Sequence, residues 1–223
     1  MRLINILFVG GIAMAAAGSA QSQCGSLANG YGPFDYRTSK EQLVIVEQFH
    51  FTQDVELLRH GNTGNVGGDI DYVLRASPNH HRALMSMVNL ALKTKSDRPT
   101  GPGKYTVDCY FDRALRMASD DGVIRIIYGL YLYRTGKKVE AKRVLEEARP
   151  YAGDDPNLYY NLGFVYLDLG DKASALESAH KAYRLGAQLP GLRKKLQAAG
   201  AWKDDQTAAS ANNSSAPGAP PAQ

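Results

Sequence analysis

The apolar residues of this chain recur at helical spacing over most of its length. Leu84, Met85, Val88 and Leu92 fall three or four apart, which predicts a helix over about His81–Lys93. Tyr110, Phe111, Ala114 and Leu115 do the same in a stretch that runs to about Ala118. Leu192 and Leu196 mark one more amphipathic helix over about Leu189–Ala199. Upstream the signals are shorter. Ser39 and Gln42 read as a capping box that opens a helix through about Gln48. Thr52 opens a second short helix with Val55, Leu57 and Leu58 as its apolar residues, ending near Gly61. Asp69 to Ala76 reads as a further helix, closed by Pro78. Between these lie breaks. Residues 21–38 are turn-rich, Gly61–Gly68 is glycine-rich, and Lys95–Gly103 carries Pro99 and Pro102. The expected fold class is all-α.

The second half repeats itself. Gly129 and Gly163 lie 34 residues apart, and windows opened at Gly122 and Pro156 agree in phase. Tyr128-Gly129 matches Leu162-Gly163, Leu132 matches Tyr166, and Gly136 matches Gly170. Ala141 matches Ala175, and Ala148 matches Ala182. Each position has a physical reading. Gly129 and Gly163 fit where the first helix of a pair comes close to the second, with Ala141 and Ala175 facing that contact. Gly136 and Gly170 fit helix ends that need a left-handed residue. Asp171 fits as a cap for the next helix, and Asp155-Pro156 has the order of cap then proline.

A period of 34 residues with these small positions resembles the tetratricopeptide repeat. The resemblance implies an α-α superhelix with repeats at about 78–121, 122–155 and 156–189 and a capping helix at 189–200. The first repeat is lengthened by an insert in its inter-helix turn. Residues 21–60 are expected as an N-terminal extension with short helices, and 61–76 as a degenerate half repeat within a helical domain over 61–203. Trp202 is expected to tuck under the cap. The tail 204–223, rich in Ala, Ser, Asn and Pro, is expected to be disordered.

Family positions for the concave inner wall map onto Arg82, Met85 and Asn89, then Ile126, Leu130, Tyr133 and Arg134, then Tyr160, Asn161, Phe164 and Asp168. The resemblance implies that this wall binds a peptide or protein partner, by apolar anchors in the middle and polar groups around them. The competing account is that Tyr31, Phe34 and Tyr36 of the N-terminal arm fill the same trough. Chaperone-adaptor relatives grip a terminal carboxylate with basic and polar groups. Met85 and Ile126 stand where such groups belong, and Asn89 alone matches, so that function is not carried over.

The ends and the charge set the compartment. Met1-Arg2, an apolar run from Leu3 to Ala17, and Gly18-Ser19-Ala20 read as a secretory signal peptide cleaved after about Ala20. The expected location is periplasmic or secreted, in a chain not embedded in a membrane. Cys24 and Cys109 are then expected to pair, the alternative being free thiols with Cys109 buried. A balance of 26 basic and 22 acidic residues gives a net charge of +4, spread over mixed faces. Nucleic acid gains no support from this distribution.

Candidate chemistry is sparse. The Gly-rich stretch lacks the Lys-Ser/Thr of a phosphate loop, and neither a nucleophile elbow nor His-Glu-x-x-His occurs. His80 and His81 are adjacent and so point about 100° apart on a helix, which does not chelate. They are expected to hydrogen-bond locally. The pairs Asp120-Asp121, Glu146-Glu147 and Asp154-Asp155 read as caps or solvated faces. No catalytic residue, metal or cofactor is expected. The expected function is a non-enzymatic interaction scaffold that serves an envelope or secretion assembly. The alternative is an envelope factor that holds a small ligand, metal or cell-wall polymer through Asp69, Asp71, His80 and His81. Partner identity and oligomeric state stay open.

Overall fold

The computed structural model describes residues 24–101 and 104–204. The expected signal peptide, and the expected tail beyond Asp204, lie outside the described residues. Those described form helices and contain no strand. In chain order the helices are α1 (Lys40–His50), α2 (Gln53–Glu56), α3 (Val66–Ala76), α4 (His81–Thr94) and α5 (Val107–Met117). They continue with α6 (Gly122–Arg134), α7 (Lys138–Ala152), α8 (Pro156–Asp168), α9 (Lys172–Arg184) and α10 (Gly191–Ala198).

Local chemistry sets most of these boundaries. The side chains of Asp121, Asp155 and Asp171 accept from the backbone N–H groups of Val123, Asn157 and Ser174, capping α6, α8 and α9. Thr106 caps α5 through Cys109 N–H. Gly136 and Gly170 follow α6 and α8 with φ +85° and +86°, a conformation that costs a residue with a Cβ far more than glycine. The short turns fold α6 onto α7 and α8 onto α9. Ala141, Ala148, Ala175 and Ala182 are all fully buried along those hairpins. A Cβ on Gly129 would lie 2.5 Å from Leu145 Cγ, so α6 and α7 pack closer there than any side chain allows. The repeat, the helix pairs and their stacking through α4, α6 and α8 make a tetratricopeptide-like superhelix.

Two expectations change. Ser39 sits at the N-cap of α1 without a side-chain cap bond, so the capping box does not form. Helix α3 begins at Val66 rather than Asp69, because Asn65 caps it by accepting from Gly68 N–H at 2.8 Å. Gly67 therefore belongs to a helix and not to the loop. Its Cβ would lie 2.8 Å from Thr100 Cα and 3.0 Å from Pro99 O, so the insert of the first repeat crosses α3 at that point. Helix α1, in the stretch expected as an extension, packs on α3, and α3, in the stretch expected as a half repeat, packs on α4.

The arm runs from α5 to α1 along one side of the stack. Cys24 and Cys109 form a disulfide, with Cα atoms 5.1 Å apart. Arg113, buried on α5, donates to the carbonyls of Cys24 and Ser26, and Arg116 donates to Gly25 O at 2.9 Å. Tyr31 donates to Gln42 O, Phe34 N–H to Ala76 O, and Tyr36 N–H to Asn79 Oδ1. At the other end α10 covers α8 and α9 with Leu192 and Leu196, both fully buried. Trp202 meets His180 and Tyr183 edge-on, with Arg193 4.6 Å from its ring.

Candidate functional site

Helices α4, α6 and α8 each present one face to a shared trough of about 440 Å³. Its apolar lining is Met85 from α4, Val123, Ile126, Ile127 and Leu130 from α6, Tyr160 from α8, and Leu189 from the turn before α10. Asp155 and Asn157 line it at the start of α8, Asn161 lies one turn further on, and Arg134 lines it from the end of α6. A second hollow of about 360 Å³ shares Arg134 and adds Leu92, Lys95, Asp97, Tyr131 and Thr135. Among the described residues, the side chains of Arg134 and Asn161 make no hydrogen bond or ion pair within the chain. An apolar floor beside solvent-accessible donors and acceptors can bury an apolar side chain while bonding the polar groups next to it.

The inner-wall residues divide. Met85, Ile126, Leu130, Arg134, Tyr160 and Asn161 come together in the trough. Arg82 lies elsewhere: its Nε donates to Glu56 Oε1 at 2.8 Å, and it stands 5.3 Å from the Phe51 ring. Asn89 is exposed and outside the trough. Tyr133, Phe164 and Asp168 are engaged with α10. Tyr133 donates to Asp168 Oδ2 at 2.7 Å, Lys195 pairs with the same carboxylate, and Lys195 Nζ stands 5.5 Å from the Phe164 ring. Burial alone would raise the Asp168 carboxyl, yet the bonds from Lys195 and Tyr133 outweigh it and hold the group below its ordinary range. The aromatic row thus does not form one open channel, because α10 closes its far end. Phe164 instead meets Tyr160 edge-on at 5.1 Å and braces it toward the trough.

Val123, Ile127, Asn157 and Leu189 escaped the sequence reading. Asn157 lies four residues before Asn161 on the same helix face, which was a usable signal. Leu189 gave none, since its place depends on how the chain enters α10. The arm does not fill the trough. Phe34 and Tyr36 pack near α3 and the start of α4, with Tyr36 4.2 Å from the His80 ring and 5.0 Å from His81.

The groups of the alternative ligand site are dispersed. His80 accepts from Ala83 N–H at Nδ1, as the local-bond expectation had it, and its Nε2 meets Glu47 Oε1 at 2.9 Å. His81 meets Asp121 at 2.7 Å. Asp69 accepts from Asn62 N–H at 2.7 Å and meets His50 Nδ1 at 2.9 Å. Asp71 accepts from the Tyr110 hydroxyl and pairs with Lys104 and Arg75. Each carboxylate is held by its own partners. Among the described residues, no group of three potential metal-ligating side chains occurs.

No family model matches the chain, and no curated protein is similar to it. A solved structure similar to it is that of pilF from Pseudomonas aeruginosa, a tetratricopeptide-containing protein, at 22% identity and a TM-score of 0.46. The match covers 59% of this chain and 57% of pilF, so this chain spans less than two thirds of that protein's length.

Proposed function

We propose that this protein is a non-enzymatic binding module that works outside the cytoplasm and receives a peptide segment of a partner protein in the α4–α6–α8 trough. One observation carries this reading. Half-buried Leu130 and Tyr160 line an apolar trough over buried Ile126, and Arg134 and Asn161 stand beside it with no hydrogen-bond or ion-pair partner for their side chains among the described residues. An apolar anchor seated on that floor gains burial, and the adjoining backbone or acidic groups bond to Arg134 and Asn161. Export is supported by the apolar N-terminal run and by the Cys24–Cys109 bond. Among the described residues, no helix is long and apolar enough to cross a membrane.

The test is site-specific photocrosslinking in envelope extracts. A crosslinking residue at Leu130 is expected to capture a discrete partner, and one at Val139, exposed on α7, is not. Asn161→Ala with Arg134→Ala is expected to suppress capture at Leu130 without loss of helicity. Equal capture at both positions, or capture indifferent to the pair, would sink the reading.

A further inference from the structure

Polar groups on the trough repeat at a fixed step on both of its main helices. On α6, Leu130 and Arg134 stand four residues apart and both line it. On α8, Asn157 and Asn161 stand four apart and line it too. Residues at that spacing share one helix face, with Cβ atoms about 5–6 Å apart. Among the described residues, neither asparagine side chain makes a hydrogen bond within the chain. Arg134 also lines the neighbouring hollow of about 360 Å³, where exposed Lys95 joins it. Neither cation has an ion-pair partner among the described residues. Asp97 is the carboxylate that lines this hollow, so cations outnumber it two to one there.

We infer that the trough takes an extended, acidic segment in which a carboxylate side chain, two residues from an apolar anchor, meets Arg134 and Lys95. This rests on the trough being a peptide site, and it adds the chemistry of the peptide. An extended chain repeats its same-side groups every second residue, about 6.5 Å apart. That step is close to the one from Leu130 to Arg134 and from Asn157 to Asn161, so an apolar side chain on Leu130 puts the next same-side residue at Arg134. An extended chain also leaves its backbone N–H and C=O groups free, and a side-chain amide offers an acceptor and a donor to both. A helix has already paired these groups internally. The charge at Arg134 selects an acid: a carboxylate gains charge-assisted bonds from two unpaired cations, whereas a basic side chain would meet both against Asp97 alone. Asp155, the carboxylate of the trough itself, lies at the start of α8 and accepts from Asn157 N–H at 2.7 Å. The positive end of the helix dipole offsets its charge, so it does not repel an acidic segment as a free carboxylate would.

Fluorescence anisotropy of the full mature chain with short labelled peptides reads this directly. The peptides are blocked at both ends, so that no terminal carboxylate is present. Each carries one leucine and one glutamate in a serine background, in either order, separated by one, two or three serines. The single-serine spacing is expected to bind most tightly, by about fivefold over the others. Glutamine or lysine in place of the glutamate is expected to lose that advantage. Arg134→Gln is expected to make the glutamate and glutamine peptides bind alike, and Asp97→Asn to tighten the glutamate peptide. Both residues are exposed, so the fold survives, which circular dichroism checks. Tightest binding at the three-serine spacing of a helix, equal binding of glutamate and glutamine peptides, indifference to Arg134→Gln, or binding of none of the peptides would overturn the inference. Photocapture at Leu130 tests the peptide site separately. Any of those results with capture intact removes the acidic segment alone, and loss of capture removes the site with it.

Discussion

A Cβ on Gly163 would stand 2.5 Å from Cδ2 and 3.2 Å from Cδ1 of Leu192, so α8 and the capping helix meet at a point only glycine fills. Ala175 O lies 3.4 Å from the same position, so the partner hairpin helix α9 is close as well. Leu192 is fully buried, so a side chain at 163 and Leu192 would compete for one space inside the core. Gly163→Leu is expected to cost about 1–3 kcal/mol by overpacking, seen as a lower melting temperature. Leu192→Ala alone costs a cavity, and in the Gly163→Leu background it is expected to cost less, because the new side chain fills the gap. Strict additivity of the two changes would mean that the residues do not touch.

The disulfide joins residues 85 apart in sequence. Closing a loop of that size stabilises by about 4 kcal/mol in the chain-entropy model, mainly by restricting the unfolded chain. Reductant, or Cys24→Ser with Cys109→Ser, is expected to shift denaturation midpoints by that order. Titration of denatured, unreduced protein should find neither thiol reactive. Two reactive thiols would remove the bond from the account.

His80 predicts a pH dependence. It is fully buried between Glu47, Arg82, and the Tyr36 and Phe51 rings, and burial pushes its pKa from 6.5 down to about 4. The unfolded chain therefore binds more protons between those values. Stability is full above about 6.5 and is lost as pH falls toward about 4. His80→Asn keeps an acceptor for Ala83 N–H and removes the titration. Thermal melts across this window should be steep for the wild type and flatter for the variant. Parallel slopes would show that another group titrates.

Tyr133 separates stability from binding. Its hydroxyl serves Asp168 at 2.7 Å, and it does not line the trough. Tyr133→Phe is expected to cost about 0.5–1.5 kcal/mol and leave partner capture unchanged. Capture lost with stability intact would return Tyr133 to the binding wall.

Much of the second half was legible because the repeat constrains each residue twice, once by helical period and once by register. Gly129, Ala141 and Ala175 serve the tight contacts that the spacing called for, and Asp155 and Asp171 cap the helices assigned to them. Gly163 was read correctly as a close-packing position, but its nearest neighbour is Leu192 and not the second helix of its pair. A period within the chain specifies helix pairs. It carries no information on a terminal helix that occurs once.

The same limit divides the inner wall. Family register placed Leu130, Tyr133, Tyr160 and Phe164 alike, because register records which face of a helix a residue occupies. Whether that face stays open depends on what the rest of the chain lays over it. Lys195 of α10 reaches Asp168 beside Tyr133 and lies near the Phe164 ring, while Leu130 and Tyr160 stay on the trough. Helix period and capping chemistry are local, so the sequence alone determined the helices, their pairing and the side each residue faces. Coverage is a long-range property. Only the tertiary packing of α10, of the arm tied down at Cys109, and of the insert crossing Gly67 decided which of those faces remain exposed to a partner.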